Sequence, residues 1–453
     1  MNAKIRPLSG FPELLPAQRV VEQQVVDTLR HVFELHGFAG IETRAVEPLD
    51  QLLTKGETSK EVYVLRRLQE QEGGKDAGLG LHFDLTVPFA RYVVENAGRL
   101  EFPFRRYQVQ KVWRGERPQD GRYREFTQAD IDVVGRDTLS FHHDVEVARV
   151  MLDALRRIDF LPGFRLQVNN RKLLEGYFLG LGLDDPAPAM TAVDKLDKQP
   201  PEAVAALLVE GGLDADLARR CLAIAEISST DTSFVQQVRD LGVEHPLLEE
   251  GLTELAAVVE GCASLVGPRV EVVADLRIAR GLDYYTGTVF ETRMRGHEAL
   301  GSICSGGRYD ALATDGRTTY PGVGISLGVS RVLVPLISRT GLVADRSVPS
   351  AVLVALVDDA PEARAASEAV ADALRARDVA CEVSPSPQKF GKQIRYAERR
   401  GIPFVWFTTA EGGHEVKDIR SGEQVTADPA AWTPPHEDLR PQVTSHDPQE
   451  MTK

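Results

Sequence analysis

At 453 residues the chain is too long for one compact core, so two or three domains are expected, and its 43% hydrophobic and 26% charged residues are ordinary globular proportions. The lack of an 18-residue apolar run and of a signal-like N-terminus excludes a membrane helix and predicts a cytoplasmic protein. Four scattered cysteines, Cys221, Cys262, Cys304 and Cys381, argue against a disulfide scaffold or a zinc site, while a formal net charge of −14 leaves any nucleic-acid contact to a local basic surface.

Helical spacing begins near Pro16 and runs to Gly37, and residues 38–46 are strand-like. Residues 81–85 read as another short strand. Asp84 and Thr86 then stand at a strand-to-helix junction, where a carboxylate and a hydroxyl are most often a helix cap. Residues 107–113 (Y-Q-V-Q-K-V-W) and 128–135 alternate like strands, so residues 114–126 form a hairpin loop between them. That loop, R-G-E-R-P-Q-D-G-R-Y-R-E-F, carries Arg114, Arg117, Arg122 and Arg124 and ends in aromatic residues. Guanidinium forks bind phosphate oxygens bidentately, stay charged and stack on flat rings, which suits a nucleotide; the alternative is a solvated hairpin tip. Gln128 and Asp132, at i and i+4 on the second strand, face one side. The adjacent His142 and His143 read as a polar helix face, and no histidine spacing suggests a protein-held catalytic metal.

A helix follows over residues 144–158. Residues 172–262, rich in Ala, Leu, Glu and Asp, read as a helical insertion. Strand patterns return at residues 270–274, 288–293 and 323–326, before a helix led by Gly328. Strands joined mostly by hairpins with helices around them predict an α+β domain built on an antiparallel sheet. Within it, residues 279–287 crowd Arg280, Asp283, Tyr284 and Tyr285 into one polar segment, which is costly to bury unless it binds something. Residues 322–331 are out of register for a dinucleotide fingerprint and lack the Lys-Ser/Thr of a P-loop. They offer instead a glycine-rich strand that would let a ligand approach the backbone, then a helix carrying Arg331; Arg114 and Arg331 together could grip a bent triphosphate.

Near residues 343–350 the pattern changes to alternating β and α, predicting a small α/β domain with a mostly parallel sheet. Its basic helix puts Lys392, Arg395 and Arg399 on one face, with Lys389 just before, as either a solvated face or a nucleic-acid contact. Residues from about Thr433 read as a loose tail. The expected division is 1–171 and 263–342 for the catalytic core, 172–262 for the insertion, 350–432 for the α/β domain and 433–453 for the tail.

These residues resemble a family. Residues 114–126 match motif 2 and residues 322–331 match motif 3 of the class II aminoacyl-tRNA synthetases, and R-G-L-D-Y-Y at 280–285 with S-G-G-R-Y-D at 305–310 resemble the two signatures of the histidyl-tRNA synthetases. The resemblance runs from Leu8 to about Ala427 and implies a class II catalytic domain followed by an anticodon-binding domain. It implies that ATP, accompanied by Mg2+, and L-histidine bind side by side, that the histidine carboxylate attacks the α-phosphate with loss of pyrophosphate, and that the adenylate passes its histidyl group to histidine tRNA. By that resemblance Arg114 contacts the α-phosphate, Arg331 the γ-phosphate, Phe126 the adenine, and Arg280 the attacking carboxylate. Asp132 and Tyr285, with Tyr284 close by, would read the imidazole, while Asp84, Thr86 and Gln128 would supply acceptors for the ammonium and Leu85 would also line the histidine site.

Arg117 and Gln119 are implied in reading the extra 5′ guanosine of histidine tRNA, and Lys392 and Arg395 in further tRNA contact. The family's homodimer is expected too, although Arg44 stands where its motif 1 usually has a proline, with Pro48 four residues on. Asp84 and Asp132 replace the glutamates of many bacterial members. Two alternatives stay open: a silent paralogue such as the regulatory subunit of ATP phosphoribosyltransferase, and a synthetase of the same subclass for another amino acid.

Overall fold

The computed structural model describes residues 6–53, 61–68, 78–197, 199–279, 285–409 and 412–444. They divide into two compact units, one built on residues 25–335 and the other on residues 336–444 together with residues 13–24. Residues 13–24 therefore leave the 1–171 segment to which the sequence pattern assigns them. Their helix, α1 (Pro16–Leu35), starts where the periodicity predicts, and its Gln24 donates a hydrogen bond to the carbonyl of Pro441 at 2.7 Å.

In the first unit the strands are β1 (Ala39–Gly40), β2 (Val46–Pro48), β3 (Val64–Leu65), β4 (Leu79–Leu81), β5 (Phe104–Trp113) and β6 (Glu125–Val134). They continue with β7 (Phe164–Asn170), β8 (Ser228–Ser229), β9 (Val270–Asp275), β10 (Thr288–Met294), β11 (Ser302–Thr314) and β12 (Thr319–Gly328). One nine-stranded sheet runs β1-β5-β6-β12-β11-β10-β7-β9-β8, and β2-β4-β3 form a small second sheet. Pairing is parallel at β1–β5 and β7–β9 and antiparallel elsewhere in the large sheet. Hairpins β5–β6 and β11–β12 account for the antiparallel centre, since a short turn can only return the chain alongside itself.

The structure corrects one strand assignment and adds β11. The expected strand 81–85 ends at Leu81; His82, Phe83 and Leu85 are buried, and the chain turns directly into α3 (Thr86–Asn96). The long strand β11 carries no alternating pattern because its neighbours approach too closely for side chains. A Cβ at Gly306 would lie 2.1 Å from the Gly324 carbonyl oxygen, and one at Gly307 would lie 2.6 Å from that of Thr288.

The helix α4 (His142–Arg156) starts two residues before its predicted position and buries one face against the sheet. The stretch 172–262 is helical as expected, between α5 (Arg171–Gly180) and α10 (Pro246–Cys262), but it is not a compact unit of its own. The backbones of α5 and α10 touch through glycines: a Cβ at Gly176 would meet Leu248 N at 2.2 Å, and one at Gly251 would meet Leu173 N at 2.2 Å. The helix α11 (Val329–Thr340) follows β12 directly.

The second unit has a five-stranded sheet of residues Cys381–Val383, Val352–Val354, Phe404–Thr408, His414–Asp418 and Gln424–Thr426, in that order. Its first two pairings are parallel and its last two antiparallel, so the sheet is mixed rather than mostly parallel, because the chain returns by hairpins after Thr408. Val352, Val354 and Trp406 pack on Val370 and Leu374 on one face, while Leu353, Val405 and Phe407 pack on Ala397 and Ile402 on the other. The expected loose tail is in part built in. Val443–Thr444 pair with Val343–Ala344, and the buried Asp438 carboxylate accepts from Arg420 at 2.7 and 2.8 Å while its carbonyl accepts from Arg346 at 2.9 Å. Residues 445–453 lie outside the described residues. No helix among the described residues is long and apolar enough to cross a membrane.

Candidate active site

Strand β6 is the spine of the site, because the strands on either side place a chosen residue opposite each of its inward side chains. Asp132 faces Arg106 of β5 and Gly324 of β12, Asp130 faces Gln108 and Ser326, and Gln128 faces Gln110 and Gly328. Arg106 is fully buried, with Nη2 2.6 Å from Asp132 and 3.9 Å from Asp130, and its guanidinium lies 4.1 Å over the ring of Phe89. Asp132 is bound on its other oxygen by the Tyr309 hydroxyl at 2.8 Å. Burial raises the Asp130 carboxyl above the usual 3.8, against the pull of Arg106, a Ser326 hydrogen bond and the Gln128 amide, which donates to it at 3.0 and 3.2 Å. Two buried carboxylates thus share one guanidinium. The floor is short of positive charge when both are ionised.

Two glycines of β12 make room for these side chains, while Gly324 and Gly328 also line the two cavities of the site. A Cβ at Gly324 would lie 2.0 Å from Asp132 Oδ1, and one at Gly322 would lie 2.4 Å from the Tyr309 ring. Glycine is required at both positions because protein atoms already fill the space.

A cavity of about 260 Å3 opens beside this floor, lined among others by Arg114, Arg122, Tyr123, Phe126, Gln128 and Arg331. A smaller one is lined among others by Thr86, Asp130, Asp132, Tyr285 and Tyr309, and the two share Ser305 and Ser326. Arg114 donates its Nε–H to the Phe83 carbonyl at 2.9 Å and sits 5.2 Å from the centre of the Phe126 ring, so its direction is set by backbone and ring together. Arg331 donates to the Leu300 carbonyl at 3.1 and 2.6 Å. Arg124 donates to the Glu116 carbonyl at 3.1 Å, tying the two arms of the hairpin loop.

The structure therefore brings Arg114, Phe126, Gln128 and Arg331 to one cavity and Thr86, Asp132 and Tyr285 to its neighbour. Leu85 is in the core and lines neither, and Asp84 accepts from the Val87 N–H at 3.0 Å, as a helix cap would. Arg117 and Gln119 are exposed on the loop outside both linings. Lys392 and Arg395 belong to the other unit, where they line a shallow groove with Arg399 on the helix Phe390–Arg400. Arg280 and Tyr284 lie outside the described residues. Sequence reasoning missed Arg106 and Asp130, and gave no role to Tyr309, Ser305, Ser326 and Tyr123, which stand within the quoted motifs. The i, i+2 spacing from Gln128 to Asp132 could have revealed Asp130, whereas Arg106 carries no local signal because cross-strand register alone pairs it with Asp132.

His142, His143 and Glu146 come within 4.8 Å of one another at the start of α4, away from both cavities, and Glu146 is also held by Arg105 at 3.1 Å.

A family model described as histidyl-tRNA synthetase matches residues 10–332, and one described as an anticodon binding domain matches residues 350–431. A histidine–tRNA ligase of Cutibacterium acnes is 59% identical, covering 97% of this chain and 99% of its own length. Its counterpart in Micrococcus luteus is 60% identical and covers 96% and 98%. The crystal structure of histidyl-tRNA synthetase from Nostoc sp. PCC 7120 superposes with a TM-score of 0.82 at 34% identity, over 94% of this chain and 97% of that one. With both models matched along the chain and the arginines of both cavity-lining motifs in place, the chain belongs to the histidyl-tRNA synthetase family.

Proposed function

We propose that this protein activates L-histidine with ATP to histidyl-adenylate and transfers the histidyl group to the 3′ end of histidine tRNA. The observation that carries the reading is the adjacency of two unlike cavities. An arginine-lined one that suits a polyphosphate shares Ser305 and Ser326 with an acidic, phenol-bearing one that suits an amino acid. Adenylate formation needs this adjacency, since the carboxylate must reach the α-phosphate in line with the leaving pyrophosphate.

In this reading Arg114 stabilises charge developing at the α-phosphate, Arg331 holds the γ-phosphate, and Phe126 offers a ring face to adenine. The role at the attacking carboxylate falls to Arg280, as the family resemblance implies. Asp132 and Tyr285 read the imidazole, whose neutral form has one donor and one acceptor, with Tyr309 holding the Asp132 carboxylate. Gln128, Thr86 and Asp84 take the ammonium. Magnesium enters with ATP. Among the described residues Glu116 is the carboxylate lining the larger cavity, and it is near Arg114 and Arg122, so the ion's ligands come chiefly from the phosphates. Arg117 and Gln119 contact the 5′ end of the tRNA, Lys392 and Arg395 contact it further away, and the working form is a cytoplasmic homodimer.

Histidine-dependent exchange of pyrophosphate into ATP, followed by aminoacylation of histidine tRNA, tests the reading. Exchange with histidine alone among the twenty amino acids supports it. No exchange would return the chain to the silent-paralogue alternative, and exchange with another amino acid would reassign the substrate.

A further inference from the structure

Gln128 and Asp130 are two residues apart on β6 and so share a face. The Gln128 Nε2 donates to both oxygens of Asp130, at 3.0 and 3.2 Å. With Asp130 ionised, its carboxylate only accepts hydrogen bonds, so the amide presents its nitrogen to it. The nitrogen is turned toward Asp130 and the oxygen away. That oxygen, Oε1, is buried and has no hydrogen-bond partner among the described residues, although Gln128 is only 5% exposed and lines the larger cavity. A buried acceptor left unmatched is costly, and a ligand bearing N–H groups removes the cost.

We propose that Asp130 is a positioning residue that locks the Gln128 amide with its oxygen toward the substrate, building an acceptor for the amino acid's ammonium group. The inference rests on the reading of Gln128 as an ammonium acceptor given above. Asp130 is itself held in place: it lies between Gln108 and Ser326 in the sheet register, and the Arg106 guanidinium is 3.9 Å away. Without a carboxylate at 130 the amide is free to turn over and present its NH2 to the ammonium, replacing an attraction by a repulsion.

The test compares two ligands that differ only at the ammonium, L-histidinol, which has it, and 3-(imidazol-4-yl)propan-1-ol, which lacks it. Their dissociation constants are measured by calorimetry on the full chain and on Asp130→Asn, Gln128→Ala and the double variant. Asp130→Asn is expected to weaken histidinol about tenfold or more while shifting the deaminated alcohol by less than about twofold. Gln128→Ala should show the same selectivity, and the double variant should bind histidinol no more weakly than Gln128→Ala.

Equal weakening of both ligands by Asp130→Asn would reduce Asp130 to a structural residue and overturn the proposal. A further loss of histidinol in the double variant would assign the effect to the Asp130 charge itself, and would also overturn it. If Gln128→Ala treats the two ligands alike, the ammonium reading of Gln128 fails and the proposal falls with it. Should Asp130→Asn not fold, Ser326→Ala removes a neighbouring support of the carboxylate. The same ligand selectivity at a smaller loss then supports the proposal, and loss without selectivity overturns it.

Discussion

Gly324→Ala tests whether the glycines of β12 make room for the protein's own side chains. The new Cβ would sit 2.0 Å from Asp132 Oδ1 and 2.7 Å from the Ile131 carbonyl oxygen, well inside a normal carbon–oxygen contact of about 3.3 Å. The backbone at 324 has no positive φ, so alanine is strained by these contacts alone. Strand β6 cannot withdraw without opening its ladder with β12, in which Ile131 pairs with Ile325 and Asp132 with Gly324. The cheaper response is rotation of the Asp132 carboxylate away from the Tyr309 hydroxyl and from Arg106, now 2.8 and 2.6 Å away. Each hydrogen bond to a buried charge is worth about 1.5 to 3 kcal/mol, and disrupting a buried ion pair costs about 3 to 5 kcal/mol, so a destabilisation of about 3 to 5 kcal/mol is expected. Urea unfolding reads the stability, and the pyrophosphate exchange assay reads KM for histidine, which should rise at least about tenfold while KM for ATP moves far less. Removing the clashing carboxylate in Gly324→Ala/Asp132→Ala should recover part of the stability. A single variant within about 0.5 kcal/mol of the parent, with unchanged KM for histidine, would refute the packing argument.

Other outcomes follow from the same geometry. Tyr309→Phe removes the hydroxyl that fixes Asp132 and should raise KM for histidine by about tenfold or more with little change for ATP, as read by exchange kinetics. His82 is buried, stacks on Trp113 with ring centres 5.6 Å apart and bonds the Lys111 carbonyl at 2.8 Å, and burial lowers its pKa below the usual 6.5. Above pH 6.5 both folded and unfolded forms are neutral and the stability is fully present. As pH falls below 6.5 the unfolded chain gains the proton first and stability is lost through the folded-state pKa. His82→Gln should flatten that acid limb in urea unfolding measured from pH 7.5 to 5, and an unchanged slope would contradict it. Lys392→Glu/Arg395→Glu should lower kcat/KM for aminoacylation and its salt sensitivity while leaving histidine-dependent exchange intact; equal loss of both activities would remove these residues from the tRNA surface.

Local patterns were enough to read several elements. The helix at Pro16, the hairpin bearing Arg114 and Phe126, and α3 follow from periodicity and turn residues, and the structure has each. Strand β11 escaped because two adjacent glycines and mixed polar residues erase the alternation, and the partner backbones that explain those glycines are distant in sequence. The order of residues 433–444 was not legible because their polar composition hides the pairing of Val443–Thr444 with Val343–Ala344 and the seat of Asp438 beside Arg420.

The sequence by itself determined the chemistry on offer: arginines for phosphates on two separate elements, carboxylates and phenols in a polar signature, and a basic helix in a second domain. Those are properties of residue types and short spacings, which the chain carries before it folds. Only the tertiary structure decided which of them meet. Register across β5, β6 and β12 sets Arg106 against Asp132 and Ser326 beside Asp130, and turns Gly322 and Gly324 from an open backbone into space for Tyr309 and Asp132. The physical reason is that a one-residue slip in any of these pairings sends the side chains to the opposite face, and no local stretch of sequence contains that choice.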